Sequence, residues 1–162
     1  MKTLWAPWRI SYVEVKQPES CIFCGKSAES DDEINLILYR DSLAFIILNA
    51  FPYNNGHLMI APYRHVATLA DLTDEEKLQI MQLADKAIIL LSRAMSPDGF
   101  NVGINLGKTA GAGIADHIHL HVVPRWNGDT NFMPVVADTK VLPEALAATY
   151  KKLKDVLERE NQ

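Results

Sequence analysis

Cysteine is scarce in this chain: Cys21 and Cys24 are the only two in 162 residues. That excludes the disulfide framework that holds many small secreted domains together. Long apolar runs are missing too. None approaches the ~20 residues that cross a bilayer as a helix, so no membrane span is expected. The opening Met1-Lys-Thr-Leu-Trp-Ala-Pro-Trp-Arg9 lacks the apolar core of a signal peptide. A cytoplasmic location is therefore expected. Basic residues are the minority, 16 against 20 acidic, for a net charge of −4. No global basic field is available for nucleic acid. A small anionic ligand stays open, because it needs only a local site. There is no internal repeat and no low-complexity segment.

What is present suits one domain spanning residues 1–162. Hydrophobic residues make up 48% and charged residues 22%, an ordinary balance for a globular chain with a proper core. Residues 1–20 show little periodicity and read as an extended arm, with Trp5 and Trp8 as anchors. Residues 34–40 and 43–48 read as strands around a tight Asp41-Ser42 turn. Pro52 to Gly56 is a loop, and His57 to Ala61 a short buried strand ending at Pro62. Thr73-Asp74-Glu75-Glu76 has the form of a capping box. It opens a helix to about Met95, with Leu78, Met81, Ala84, Ile88 and Leu91 at helical spacing. Pro97-Asp98-Gly99 ends it. Residues 100–106 read as a strand. Asn127-Gly128 is a turn. A C-terminal helical extension covers 135–162, its helix starting near Pro143 with Leu142, Leu146, Tyr150, Leu153 and Leu157 on one side. Strands outnumber helices and several connections are short, so an α+β domain with an antiparallel sheet is expected.

Three of the five histidines fall in one stretch, His117-Ile-His119-Leu-His121. In a strand running from His117 to Val123, alternation puts the imidazoles on one face and Ile118, Leu120 and Val122 on the other. One histidine on a strand face is usually an ordinary half-exposed residue. Three would crowd like groups together for no structural gain. Two chemistries fit. Three neutral histidines can hold a catalytic zinc. Alternatively, a neutral imidazole can attack phosphorus and form a phosphoramidate, with a neighbouring imidazole stabilising the phosphoryl oxygens. The loop Gly107-Lys108-Thr109-Ala110-Gly111-Ala112-Gly113 favours phosphorus, because small residues let backbone N–H groups approach an anion.

The pair Cys21-x-x-Cys24 is half of a zinc site, a redox dithiol or a coincidence. A redox pair wants the start of a helix in a βαβ pattern. The following Gly25-Lys-Ser-Ala-Glu-Ser-Asp-Asp32 reads as loop, which weakens that option. His57 reads as a core histidine at a strand start, bonded to nearby backbone.

His117-Ile-His-Leu-His-Val-Val123 resembles the signature of the histidine triad (HIT) superfamily, His-φ-His-φ-His-φ-φ with φ hydrophobic. Asn49, Gly56-His57-Leu-Met-Ile-Ala-Pro62, Asn105 ahead of the glycine loop, and Pro124-Arg125 also fall where the family has such residues. The likeness covers roughly residues 20 to 126. The start Leu4-Trp-Ala-Pro-Trp-Arg9 and the tail Arg125-Trp-Asn-Gly-Asp-Thr-Asn-Phe-Met-Pro134 resemble the bacterial dinucleoside-tetraphosphate phosphorylase branch.

The resemblance implies a five-stranded antiparallel sheet with one long and one shorter helix. It implies a homodimer joined through the long helix and a sheet edge. It also implies nucleotidyl transfer, with attack on the α-phosphorus of a nucleotide ester, anhydride or amidate and release to water or phosphate. A diadenosine polyphosphate or an adenylylated small molecule is the implied substrate. By the same resemblance His119 is the nucleophile, His121 a donor to the phosphate or leaving oxygens, and His117 the residue whose carbonyl orients His119. Asn49 falls at the ribose position and Asn105 near the phosphates. Gly113 and Ile114 fall where backbone donors lie. Many relatives carry Gln or Ser there; this chain has neither, which leaves Lys108 as a candidate phosphate contact. Relatives with Cys-Ile-Phe-Cys complete a structural zinc site with a histidine after the Pro62-Tyr-Arg segment and the first triad histidine, here Cys21, Cys24, His65 and His117. Two other readings compete: a nucleotide-binding sensor with little turnover, and a zinc hydrolase using His117, His119 and His121 as ligands.

Overall fold

The computed structural model describes residues 21–130 and 142–160. The expected arm of residues 1–20, with Trp5 and Trp8, and the stretch 131–141 lie outside the described residues.

Five strands form one antiparallel sheet: β1 (Ile37–Arg40), β2 (Ala44–Leu48), β3 (Leu58–Pro62), β4 (Gly99–Ile104) and β5 (Leu120–Arg125), in the order β1-β2-β3-β5-β4. Among the described residues the α-helices are α1 (Ile22–Ala28), α2 (Asp32–Asn35), the long α3 (Asp74–Met95) and α4 (Leu146–Glu160). This is the α+β architecture expected from the sequence.

The period-2 alternation gives the sheet two buried faces. On one, Leu38, Ile46, Leu48, Leu58, Ile60, Leu120 and Val122 pack against Ile80, Leu83, Ala87, Leu90 and Leu91 of α3 and Tyr150, Leu153 and Leu157 of α4. On the other, Ile37, Phe45, Ile47, Met59 and Ala61 pack under Phe23 of α1. Met59 lies opposite His121 in the β3–β5 register, so the second face also carries histidine.

Both bonds of the expected capping box form at the start of α3. Glu76 N–H donates to Thr73 Oγ1 at 3.2 Å, and Thr73 N–H to Glu76 Oε2 at 2.9 Å. The same carboxylate accepts from Arg64 at 2.7 and 2.6 Å, which compensates its near-complete burial.

Four local expectations are corrected. The phase of α3 differs: Leu78 and Met81 are 59% and 58% exposed. The helix carries apolar residues on more than one face, and periodicity alone does not say which face meets the sheet. The first strand starts at Ile37 instead of residue 34. Asp31 accepts from Ile34 N–H at 3.0 Å and caps α2, which Leu36 then ends in a left-handed conformation. The segment after Cys24 is helical through Ala28, where a loop was expected. Finally, β5 starts at Leu120 and runs through Pro124 to Arg125. His117 to His119 lie just before it, tied down by Ile118 N–H donating to Val66 O at 2.7 Å. Pro124 is tolerated because β3 pairs with β5 only as far as Val122. The Pro124 carbonyl, on the edge β3 has vacated, accepts from Asn54 at 3.1 Å.

Candidate active site and metal centre

The chain from His117 to β5 fixes three imidazoles, each by a bond that sets its tautomer. The Pro62 carbonyl can only accept, so His117 donates Nε2–H to it at 2.9 Å. Neutral His117 then presents a lone pair on Nδ1. His119 donates Nδ1–H to the carbonyl of His117 at 2.8 Å, which leaves its lone pair on Nε2. The ring of Phe23 packs against both, with centroids at 5.1 and 4.8 Å.

His121 is set through His57. Backbone N–H of Tyr53 donates to His57 Nδ1 at 3.0 Å, so that nitrogen carries no proton. Neutral His57 holds its hydrogen on Nε2, 2.9 Å from His121 Nδ1, and donates there. His121 therefore accepts at Nδ1 and carries its own hydrogen on Nε2. That Nε2 is buried and has no hydrogen-bond partner among the described residues. Burial pushes all three triad imidazoles below the usual histidine range; for His121 burial, then nearby His119, brings it to about 4. The result is a pair of neutral rings 4.8 Å apart and nearly perpendicular, one offering a lone pair and the other an N–H. A nucleophile beside a donor is the equipment that attack at phosphorus requires.

A second cluster shares His117. Cys21 Sγ lies 3.2 Å from His117 Nδ1, Cys24 Sγ 3.5 Å from the same nitrogen and 3.4 Å from His65 Nδ1. All four ligand atoms fall within 4.8 Å of one another. A tetrahedral zinc with bonds of about 2.3 Å to sulfur and about 2.0 Å to nitrogen separates its S and N ligands by roughly 3.5 Å. The donor set fits: two sulfurs, and a His117 whose second nitrogen is held by a backbone carbonyl, leaving the first to coordinate. Burial, then neighbouring Cys21, pushes the Cys24 thiol up. An activated redox thiol needs the opposite shift. Cys21 does stand at the start of a helix, as a redox pair would, but the sheet beside it is antiparallel throughout.

Residues 31–128 match the HIT domain family. This chain belongs to the HIT domain family. Over 161 residues it is 40% identical to the AP-4-A phosphorylase of Mycobacterium tuberculosis, covering 94% of this chain and 83% of that one. The adenosine 5′-monophosphoramidase of Schizosaccharomyces pombe is 32% identical over 108 residues, covering 67% of this chain and 76% of that one. Among solved structures, a Zn-bound histidine triad family protein from Mycobacterium smegmatis superposes with a TM-score of 0.69 at 28% identity, over 88% of this chain and 96% of that one.

Around the HIT histidines the other expected residues fall as follows. Asn49 is half-buried; its Nδ2 lies 3.2 Å from His57 Nδ1, and its Oδ1 accepts from Phe51 N–H at 2.9 Å. Asn105 donates to the Tyr53 hydroxyl at 3.4 Å and lies beside Gly111. Lys108 is exposed in a helical turn bounded by Gly107 and Gly111, both with φ in the left-handed region at 80° and 92°. Gly113 is exposed, and Ile114 packs at the edge of the Phe23 cluster.

Two contributors were not legible as site residues. His57 reads as an ordinary core histidine, yet it touches His121. Strand parity could have found it: His57, Met59 and Ala61 share a face, and Met59 is opposite His121. Tyr53 carried no signal, since an aromatic in a Pro-Asn-Gly loop has no distinctive spacing. Its ring lies over His57 at 4.6 Å and stacks on His121 at 5.6 Å.

Proposed function

We propose that this protein transfers a nucleotidyl group, cleaving at the α-phosphate of a diadenosine polyphosphate or an adenylylated small molecule through a covalent nucleotidyl-histidine. One observation carries the reading: His119 offers an unprotonated Nε2 beside the Nε2–H of His121, which has no partner among the described residues. His119 attacks phosphorus, and its Nδ1–H, held by the His117 carbonyl, stabilises the positive charge the ring gains. His121 donates to the phosphoryl or leaving oxygen. Asn49 faces the ribose. Asn105, Lys108 and the backbone of Gly113 and Ile114 surround the phosphates. The likeness to an AP-4-A phosphorylase supports a polyphosphate substrate and phosphate as acceptor.

Cys21, Cys24, His65 and His117 hold a structural zinc in this reading. When bound it cross-links α1 to the segment preceding β5, with no open coordination position for substrate. His117 turns its Nδ1 toward the cysteines instead of toward His119 and His121. That supports nucleophilic catalysis over a hydrolase with three triad ligands on one metal. Among the described residues no helix is long and apolar enough to cross a membrane, in keeping with a cytoplasmic enzyme. The chain is read as one HIT domain, with residues 1–20 as its arm and 135–162 as its C-terminal extension. It pairs as a homodimer through exposed Leu78 and Met81 of α3 and Val102 of the edge strand β4.

Diadenosine tetraphosphate incubated with phosphate is expected to yield ADP and ATP, and without phosphate AMP and ATP. His119→Ala should lose activity by at least ~10³-fold, as removing a nucleophile does. Full activity in that variant would refute the covalent route. Tight AMP binding with negligible turnover on all substrates would instead favour a nucleotide sensor.

A further inference from the structure

The glycine loop ends beside the triad without a side-chain donor. From Gly107 to Ile114 only Lys108 and Thr109 have polar side chains, and both precede Gly111. The buried His121 Nε2–H nevertheless has no hydrogen-bond partner among the described residues.

Tyr53 stands against the same histidine. Its backbone N–H holds His57, and its ring covers both His57 and His121. Its hydroxyl accepts from Asn105 Nδ2 at 3.4 Å, so its own O–H is left to donate. Asn105 in turn abuts Gly111, where a Cβ would come within 3.7 Å of its amide. Tyr53 is 46% exposed, which opens the hydroxyl to ligand. The ring contacts run from His119 to His121 to Tyr53.

Resting on the nucleotidyl-transfer reading, we infer that Tyr53, steadied by Asn105, binds the phosphate next to the reacting phosphorus. This phosphate is first the leaving group's and then the acceptor's. The chemistry ties the two together. In the first step the His119 Nε2–P bond forms and the bond from phosphorus to the bridging oxygen breaks, and ATP leaves from diadenosine tetraphosphate. In the second step an oxygen of hydrogen phosphate attacks, the Nε2–P bond breaks, and ADP forms while His119 recovers its lone pair. The hydrogen carried by the phosphate stays on ADP and exchanges with solvent. Each displacement is in line, so leaving and entering oxygens both occupy the position opposite Nε2. A donor that recognises the leaving phosphate therefore also recruits inorganic phosphate in preference to water.

Tyr53→Phe removes the hydroxyl and keeps the stacking ring. With full-length protein and diadenosine tetraphosphate, the phosphate concentration that sends half of the flux to ADP should rise about tenfold, as expected for one hydrogen bond to a charged oxygen. The ratio of kcat/KM for diadenosine tetraphosphate to that for adenosine 5′-phosphoramidate should fall about tenfold by the same bond. Asn105→Ala should move both quantities in the same direction. Unchanged values in Tyr53→Phe would overturn the inference. Wild-type protein that makes only AMP at every phosphate concentration would also overturn it, with the nucleotidyl reading intact. If neither substrate turns over, that reading fails and calorimetric binding of ADP and AMP decides: loss of the ADP preference in Tyr53→Phe supports the site, and an equal preference overturns it.

Discussion

At the scale of single residues, the site works by denying protons to particular nitrogens. Tyr53 N–H occupies His57 Nδ1, His57 occupies His121 Nδ1, and a carbonyl claims the Nδ1–H of His119. Protonating His121 would put two N–H groups face to face across 2.9 Å. With its folded value near 4, His121 binds fewer protons folded than unfolded between about pH 4 and about pH 6.5. Its contribution to stability is therefore intact above pH 6.5 and is lost as pH falls toward 4. Urea unfolding should show a loss on the order of 2 kcal/mol between pH 7 and pH 5 from this group by linkage. In His121→Gln that part of the slope should vanish; an unchanged slope would show that His121 is not held neutral. The triad itself was legible in the sequence because alternation is a property of neighbours. The His57–Tyr53 half was not, because its meaning depends on a strand pairing across 64 positions.

At the scale of elements, the connection into β3 depends on one close approach. Gly56 has φ 75°, and a Cβ there would lie 2.7 Å from Met95 Sδ and 3.1 Å from Leu91 Cδ2. Gly56→Ala combines a left-handed conformation with overpacking, and should cost about 2–4 kcal/mol in chemical denaturation. Because His57 follows directly, activity should fall along with stability; a variant as stable as wild type would contradict the packing. Helix α3 was readable from its capping box and length, but its orientation was not. With Leu78, Met81, Ile80, Leu83 and Leu90 all apolar, the deciding factor is contact with the sheet. Helix α1 is not legible in the sequence for a similar reason. Its seven residues include Gly25 and Ser27, and burial of Phe23 beneath the triad compensates their weak propensity.

At the scale of the whole molecule, the strand order β1-β2-β3-β5-β4 could not be read from local pattern, since it records which distant segments share a core. Two predictions belong here. Wild-type protein should carry about one zinc per chain by elemental analysis, as four protein ligands imply. Cys21→Ser/Cys24→Ser should lack it and unfold at lower temperature; zinc retained undiminished would sink the assignment. The exposed Leu78 and Met81 should matter through a second copy of the chain. Leu78→Glu/Met81→Glu should convert a dimer to a monomer in light scattering, and a variant that stays dimeric would place the interface elsewhere.

The shared histidine also has a consequence in time. His117 follows Cys21 by 96 residues and Cys24 by 93, and His65 follows Cys24 by 41. At a synthesis rate of about 5–20 residues per second, the thiols emerge from the ribosome roughly 5–20 s before the imidazole that would join them in the proposed zinc site. During that interval the nascent chain has no complete coordination sphere. In the proposed zinc site, metal capture therefore falls to a chain already made past residue 117, and His119, two residues further on, arrives together with that ligand.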